Sequence, residues 1–232
     1  IKIFADGADI DGIKEMCDNP SIKGFTTNPT LMRKAGVEDY ESFARDVLDV
    51  VTELPVSFEV FADDLDEMEK QARKIASWGH NVNVKIPVTN TNGEFTGPII
   101  ESLSAAGVQL NVTAIMTLDQ VRAVGAALDA DTAAIVSVFA GRIADAGIDP
   151  IPHMAEALEI LKDKPKAELL WANPRELYNI IQAASIGCHI ITVSNDVLKK
   201  MALFGKDLDE YSLDTVKMFY NDAKSASYFI ET

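Results

Sequence analysis

Eight short apolar runs rich in β-branched residues, each followed by a longer amphipathic stretch, recur along the whole chain and predict an α/β protein built as a single (β/α)8 TIM barrel with an extra C-terminal helix. Two further observations narrow the choice. Eight βα units within the first ~205 residues leave no room for a second domain, and eight is the number that closes a barrel. A doubly wound open sheet would carry a Gly-x-Gly-x-x-Gly turn after its first strand, and a phosphate loop would read Gly-x-x-x-x-Gly-Lys-Ser/Thr; neither is present. Nucleotide cofactors lose support, and no cofactor is expected.

The expected strands are Lys2–Asp6, Ile22–Thr27, Val56–Phe61, Val82–Pro87, Gln109–Thr113, Ala133–Phe139, Glu168–Ala172 and His189–Val193. Helical signals fill the gaps. Leu65, Met68, Ala72, Ile75 and Ala76 recur on one face behind an acidic capping-box variant, Asp64-x-x-Glu67, and Thr117-x-x-Gln120 opens the stripe Leu118, Val121, Val124, Leu128. Ala155, Leu158 and Leu161, then Leu177, Ile180, Ile181 and Ala184, give two more stripes suited to packing on a sheet. The whole of 1–232 is expected to be one barrel domain, with 207–232 a helical extension. There Leu213, Val216, Phe219, Tyr220 and Ala223 form an apolar stripe, followed by Tyr228 and Phe229. So much aromatic surface beyond a complete barrel calls for cover, either on its own barrel or on a neighbouring subunit, and a homo-oligomer is expected.

With 21 Lys+Arg against 36 Asp+Glu, the net charge of −15 repels nucleic acid and anionic membrane surfaces, so neither is an expected partner. An anionic substrate would have to be met by a few locally placed arginines. Two cysteines, with no secretory signal or apolar span of ~20 residues in view, point to a reducing cytoplasm.

In a barrel, chemistry gathers at the C-terminal ends of the strands. Read together, those ends supply Asp6, Thr26, Asn28, Glu59, Lys85, Asn111, Thr113 and Ser137, enough to suggest one shared polar pocket. Lys85 stands out because it interrupts Val82, Val84, Ile86 and Val88, where an unpaired cation is costly to bury. Two readings follow. One is a structural ion pair with Glu59 on the neighbouring strand. The other is a nucleophilic amine: desolvation by Val84 and Ile86 favours the neutral form that condenses with a ketone, while an adjacent carboxylate favours the ammonium. Carbinolamine formation, loss of water and carbon–carbon cleavage all need proton transfer, which Asp6 and Glu59 could divide. A metal-dependent aldolase is disfavoured, since His80, His153 and His189 lack ligand spacing, and no metal is expected. His189 and the adjacent Cys188 read as core or edge residues rather than nucleophiles.

The ordered set Phe4-Ala-Asp6-Gly, Thr26-Thr-Asn-Pro-Thr30, Glu59, Lys85 in Val-Lys-Ile, Asn111-Val-Thr113 and Phe139-Ala-Gly-Arg142-Ile143 resembles the small-subunit transaldolases and the related fructose-6-phosphate aldolases over essentially the whole chain. The resemblance implies a metal-free class I mechanism with Lys85 as Schiff-base lysine and Asp6 as the acid/base at the sugar C4 hydroxyl. Glu59 and Thr113 would hold the water of imine formation. Asn28, Asn111 and Ser137, with Thr26 nearby, would bind the dihydroxyacetone portion of a sugar phosphate. The aldolase branch tends to carry Gln at Glu59 and Tyr at Phe139, so both positions resemble transaldolase, and an apolar Phe139 cannot protonate a bound enamine.

Arg142 matches the family's phosphate arginine. Trp171-Ala-Asn-Pro-Arg175 aligns with a segment that usually carries Ser before a second basic residue, so Asn173 and Arg175 complete the implied anion site, with a sulfonated ketose as an alternative to a phosphorylated one. The family's C-terminal helix commonly packs on a neighbouring subunit, and a decamer is the assembly the resemblance suggests. An aldolase releasing dihydroxyacetone and a non-catalytic sugar-binding barrel are the rival readings.

Overall fold

A computed structural model of the chain describes residues 1–231. Residue 232, the last of the expected extension, lies outside the described residues. The chain divides into two compact units, one over Ile1–Leu198 and one beginning at Lys199.

The first unit is a closed barrel of eight parallel strands in sequential order: β1 (Lys2–Asp6), β2 (Ile22–Thr26), β3 (Val56–Glu59), β4 (Val82–Pro87), β5 (Leu110–Ile115), β6 (Ala134–Val138), β7 (Ala167–Trp171) and β8 (Ile190–Ser194). Closure by β1 against β8 rules out the open-sheet alternative. Ten helices accompany the strands: α1 (Ile10–Cys17), α2 (Pro29–Lys34), α3 (Tyr40–Val50), α4 (Leu65–Ala76), α5 (Gly97–Ala105), α6 (Leu118–Ala127), α7 (Ala140–Asp145), α8 (Pro150–Leu161), α9 (Tyr178–Ser185) and α10 (Asn195–Leu198). No helix among the described residues is long and apolar enough to cross a membrane.

Each expected strand is present within two residues of its expected bounds. The departures have local causes. β3 stops at Glu59 rather than Phe61 because the Gln71 side chain accepts the amides of Phe61 and Ala62, drawing them off the ladder. β5 runs on to Ile115 through a register shift after Val112 and through Ala114 in the left-handed region at φ 62°. That is a β-bulge directly after Thr113, in the position next to a site where bulges re-aim side chains.

The caps follow the sequence signals. Asp64 accepts from the amide of Glu67 to start α4, and Thr117 and Gln120 form a full reciprocal capping box on α6. Inside the barrel Phe4, Ile135, Leu170, Ala172 and Ile190 pack as one apolar cluster. Gly24 on β2 is what lets Phe4 lie across the axis, since a β-carbon there would come within 2.6 Å of its ring.

The second unit consists of a 3-10 turn over Lys199–Leu203 and α11 (Leu208–Ser225), capped by Asp207 through the amides of Asp209 and Glu210. Lys206 pairs with Asp214 at 2.6 Å and lies over the Tyr211 ring. No residue of α11 is buried, and Phe219 and Tyr220 are 63% and 68% exposed.

Candidate active site

The polar strand ends converge because parallel register carries equivalent positions to one height. Asp6 is the register partner of Thr26, Glu59 of Lys85, and Lys85 of Asn111, so β1 to β5 present their chemistry as a row. At the C-terminal mouth Asp6, Thr26, Asn28, Lys85, Asn111, Thr113, Ser137, Phe139 and Asn173 line one cavity, with about 390 Å³ of space continuous with solvent. Leu170, Ala172 and Thr192 complete its wall.

Lys85 is 7% exposed. Its Nζ donates to the carbonyl oxygen of Thr27 at 3.0 Å and lies 3.3 Å from Glu59 Oε2. Both readings of this lysine therefore describe the same side chain: it is ion-paired, and it also faces the cavity. Glu59, expected in the shared pocket, does not line the cavity; its carboxyl group lies beside the amine, a base within reach of its proton. Glu59 itself is anchored from outside the barrel, where the Tyr40 hydroxyl donates to its carbonyl oxygen at 2.9 Å. Tyr40 in turn packs against Phe58, Phe61 and Trp78, and burial pushes its phenol well above the usual range.

Asp6 accepts a 2.8 Å hydrogen bond from Thr26 Oγ1. Burial is the largest influence on its carboxyl and pushes it above the ordinary value, while the Lys85 charge and the Thr26 bond pull it back. A carboxyl balanced in this way is suited to taking up and returning a proton.

The amides and hydroxyls form an ordered wall. Ser137 Oγ donates to Asn111 Oδ1 at 2.6 Å, and Asn111 Nδ2 donates to Ser57 Oγ at 3.0 Å. Asn28 caps α2 by accepting from the Leu31 amide, which commits its oxygen and leaves its Nδ2 as the donor. Two buried polar atoms on the cavity wall, Thr113 Oγ1 and Asn173 Oδ1, have no partner among the described residues. Buried polar groups are nearly always paired, so both are disposed to bond a bound molecule.

The implied anion residues divide. Asn173 reaches the cavity with a left-handed backbone at φ 61°, a conformation Asn tolerates better than most residues. Arg142 and Arg175 do not line that cavity. Arg142 is exposed on α7 with its guanidinium 5.9 Å from the centre of the Phe139 ring. Arg175 makes a bidentate pair with Asp145, whose carboxyl is held below its usual range mainly by that contact.

Three contributors escaped the sequence reading. Thr192 lies 2.5 Å from Thr26 Oγ1, Ser57 holds Asn111, and the Thr27 carbonyl holds Lys85. The signal for Ser57 was its place two residues before Glu59 on the same face of β3, and Thr192 stands two residues after inward-facing Ile190 in the same way. His189 and Cys188 have the edge and core roles expected of them: His189 Nδ1 accepts from the Leu169 amide, and burial pushes the Cys188 thiol up to about 11.

The closed barrel thus gathers a buried lysine, two carboxyl groups and a wall of amides and hydroxyls at its C-terminal mouth. The chain belongs to the Transaldolase/Fructose-6-phosphate aldolase family, whose model matches residues 3–230. It is 39% identical over 202 residues to a probable transaldolase of Dehalococcoides mccartyi, covering 87% of this chain and 90% of that one. It is 33% identical over 202 residues to a probable transaldolase of Streptococcus pyogenes, with the same shares of the two chains, and 32% identical over 202 residues to probable transaldolase 2 of Listeria monocytogenes, covering 87% and 88%. Among solved structures, a mandelate oxidase mutant superposes with a TM-score of 0.58 at 14% identity over 90% of this chain and 68% of that one. A putative phosphonomutase from Burkholderia cenocepacia superposes with 0.55 at 14% identity over 88% and 93%. At such identity these two likenesses concern the barrel alone.

Proposed function

We propose that the protein is a transaldolase that moves a dihydroxyacetone unit from a ketose phosphate to an aldose phosphate through an imine on Lys85. The observation that carries this reading is the shared cavity of Lys85 and Asp6, lined by amides and hydroxyls, with Glu59 3.3 Å behind the amine. The amine, after giving a proton to Glu59, attacks the ketone carbon. The carbinolamine then loses water, with Glu59 and Thr113 Oγ1 handling the proton and the leaving oxygen. Asp6 takes the proton of the C4 hydroxyl as the C3–C4 bond breaks. The aldehyde leaves, and the three-carbon enamine stays bound to Lys85. An acceptor aldehyde then adds to that enamine, Asp6 returns the proton to the new alkoxide, and water releases the product.

Glu59 and Phe139 favour transfer over release. Phe139 offers no proton to the enamine, so the intermediate persists until an acceptor arrives. Asn28, Asn111, Ser137 and Thr26 are the groups for the dihydroxyacetone portion. Asn173, Arg142 and Arg175 are those for the charged terminus, with Asp145 competing for Arg175. The enzyme works as a homo-oligomer in which a second copy covers the apolar face of α11, in a reducing cytoplasm.

Borohydride reduction in the presence of a ketose phosphate, followed by peptide mass mapping, tests the reading. The expected result is one adduct on Lys85; its absence, or an adduct elsewhere, overturns it. Free dihydroxyacetone forming equally fast with and without an aldose phosphate would instead establish a lyase.

A further inference from the structure

The Asp6 carboxyl is the end of a line of hydroxyls that crosses the seam where the barrel closes. Thr26 Oγ1 lies 2.8 Å from Asp6 Oδ1 and 2.5 Å from Thr192 Oγ1. A threonine hydroxyl has a single proton to donate, and an ionised carboxylate only accepts. With Asp6 ionised, the Thr26 proton is spent on Asp6, so Thr192 must be the donor to Thr26. All the dipoles of the line then point at the carboxylate, and a hydroxyl that itself accepts a bond is a stronger donor.

Only barrel closure brings these groups together. Asp6 pairs in register with Thr26 on β2 and with Ser194 on β8, and Phe4 pairs with Thr192. β2 and β8 therefore set hydroxyls, not charges, beside Asp6, and the charged group acting on it is Lys85 from β4. Thr192 is 6% exposed and lines the cavity.

We propose that Thr192 is a positioning residue that, by donating to Thr26, holds the Asp6 carboxylate in its base form for the proton of the cleaved sugar. The proposal rests on the reading of Asp6 as the acid/base. Burial works against the charged carboxylate, and the hydroxyl line opposes burial together with the Lys85 charge.

The test uses Thr192→Val, which keeps the shape and removes the hydroxyl, and Thr192→Ser, which restores it. Two measurements are made on the full chain: the titration of the Asp6 carboxyl by carbon NMR without substrate, and the pH profile of kcat/KM for ketose phosphate cleavage. In Thr192→Val the Asp6 titration moves to higher pH, and the acidic limb of the profile moves with it. On that limb kcat falls roughly three- to tenfold, the size of one neutral hydrogen bond. KM is little changed, and Thr192→Ser recovers the wild-type profile. An Asp6 titration that stays in place overturns the proposal, also where Thr192→Val merely lowers the melting temperature. A titration that moves without the kinetic limb upholds the hydroxyl line and overturns the role of Asp6 as base.

Discussion

Gly141 and Asn173 touch backbone to backbone: a β-carbon on Gly141 would lie 1.6 Å from the Asn173 carbonyl oxygen. The contact holds the start of α7 against the loop after β7, and both the anion-site candidates and the cavity wall depend on that loop. Gly141→Ala forces the loop outward. It should destabilise the fold by at least about 2 kcal/mol in denaturant titrations, the scale of core overpacking, and raise KM. Asn173→Gly keeps the left-handed backbone and removes the amide, so it should raise KM while leaving the melting temperature nearly unchanged. Equal effects of the two variants on stability would contradict this assignment.

Gly24 bears on the apolar cluster inside the barrel. Its missing side chain is replaced by the Phe4 ring, 2.6 Å from where a β-carbon would sit. Gly24→Ala should cost about 1–3 kcal/mol in equilibrium unfolding. Adding Phe4→Leu, which shortens the clashing ring, should recover part of that loss, a coupling that a double-mutant cycle measures.

Asp6 carries a stability cost whose sign follows from its titration. Its carboxyl is held above the ordinary 3.8, so between that value and the raised one the folded state binds more protons than the unfolded chain. Stability from this group therefore falls as pH rises through that window and stays lowered at neutral pH. Asp6→Asn removes the buried charge and can still accept from Thr26. It should raise the melting temperature at neutral pH while abolishing turnover, and the gain should vanish below pH 3.8. A stability loss at neutral pH is the contrary result.

Asp145 occupies the guanidinium of Arg175 with two hydrogen bonds. A phosphorylated substrate drawn to Arg175 must displace a carboxylate first. Asp145→Asn should lower KM for a phosphorylated donor a few-fold with little change in kcat, measured by steady-state kinetics. Unchanged KM would place the substrate anion away from Arg175.

The uncovered face of α11 predicts assembly. Wild-type protein should sediment as a multiple of the chain mass at micromolar concentration, and Phe219→Ser combined with Tyr220→Ser should shift it toward the single chain. A wild-type monomer would count against a second copy as the cover.

The strands and most helix starts were legible because they rest on local information. Thr117-x-x-Gln120 reads as a capping box and is one, since all its partners lie within four residues. Lys85 was legible as an anomaly, a cation in an apolar strand. Thr192 was not, because a threonine in a β-strand is ordinary and its partner Thr26 is 166 residues away. Asp145 was likewise silent, since nothing near it in the chain announces Arg175, 30 residues on.

By itself the sequence determined that this chain alternates strand and helix eight times and sends a lysine, two carboxyl groups and several amides to the ends of those strands, because hydrophobic period and side-chain alternation are properties of short segments. Only the tertiary structure decided that Lys85 rests between Glu59 and the Thr27 carbonyl, that Thr192 stands behind Thr26 and Asp6, and that Arg175 turns to Asp145. Those contacts are fixed by strand register and by the closure of β8 on β1, which join residues that no local pattern relates.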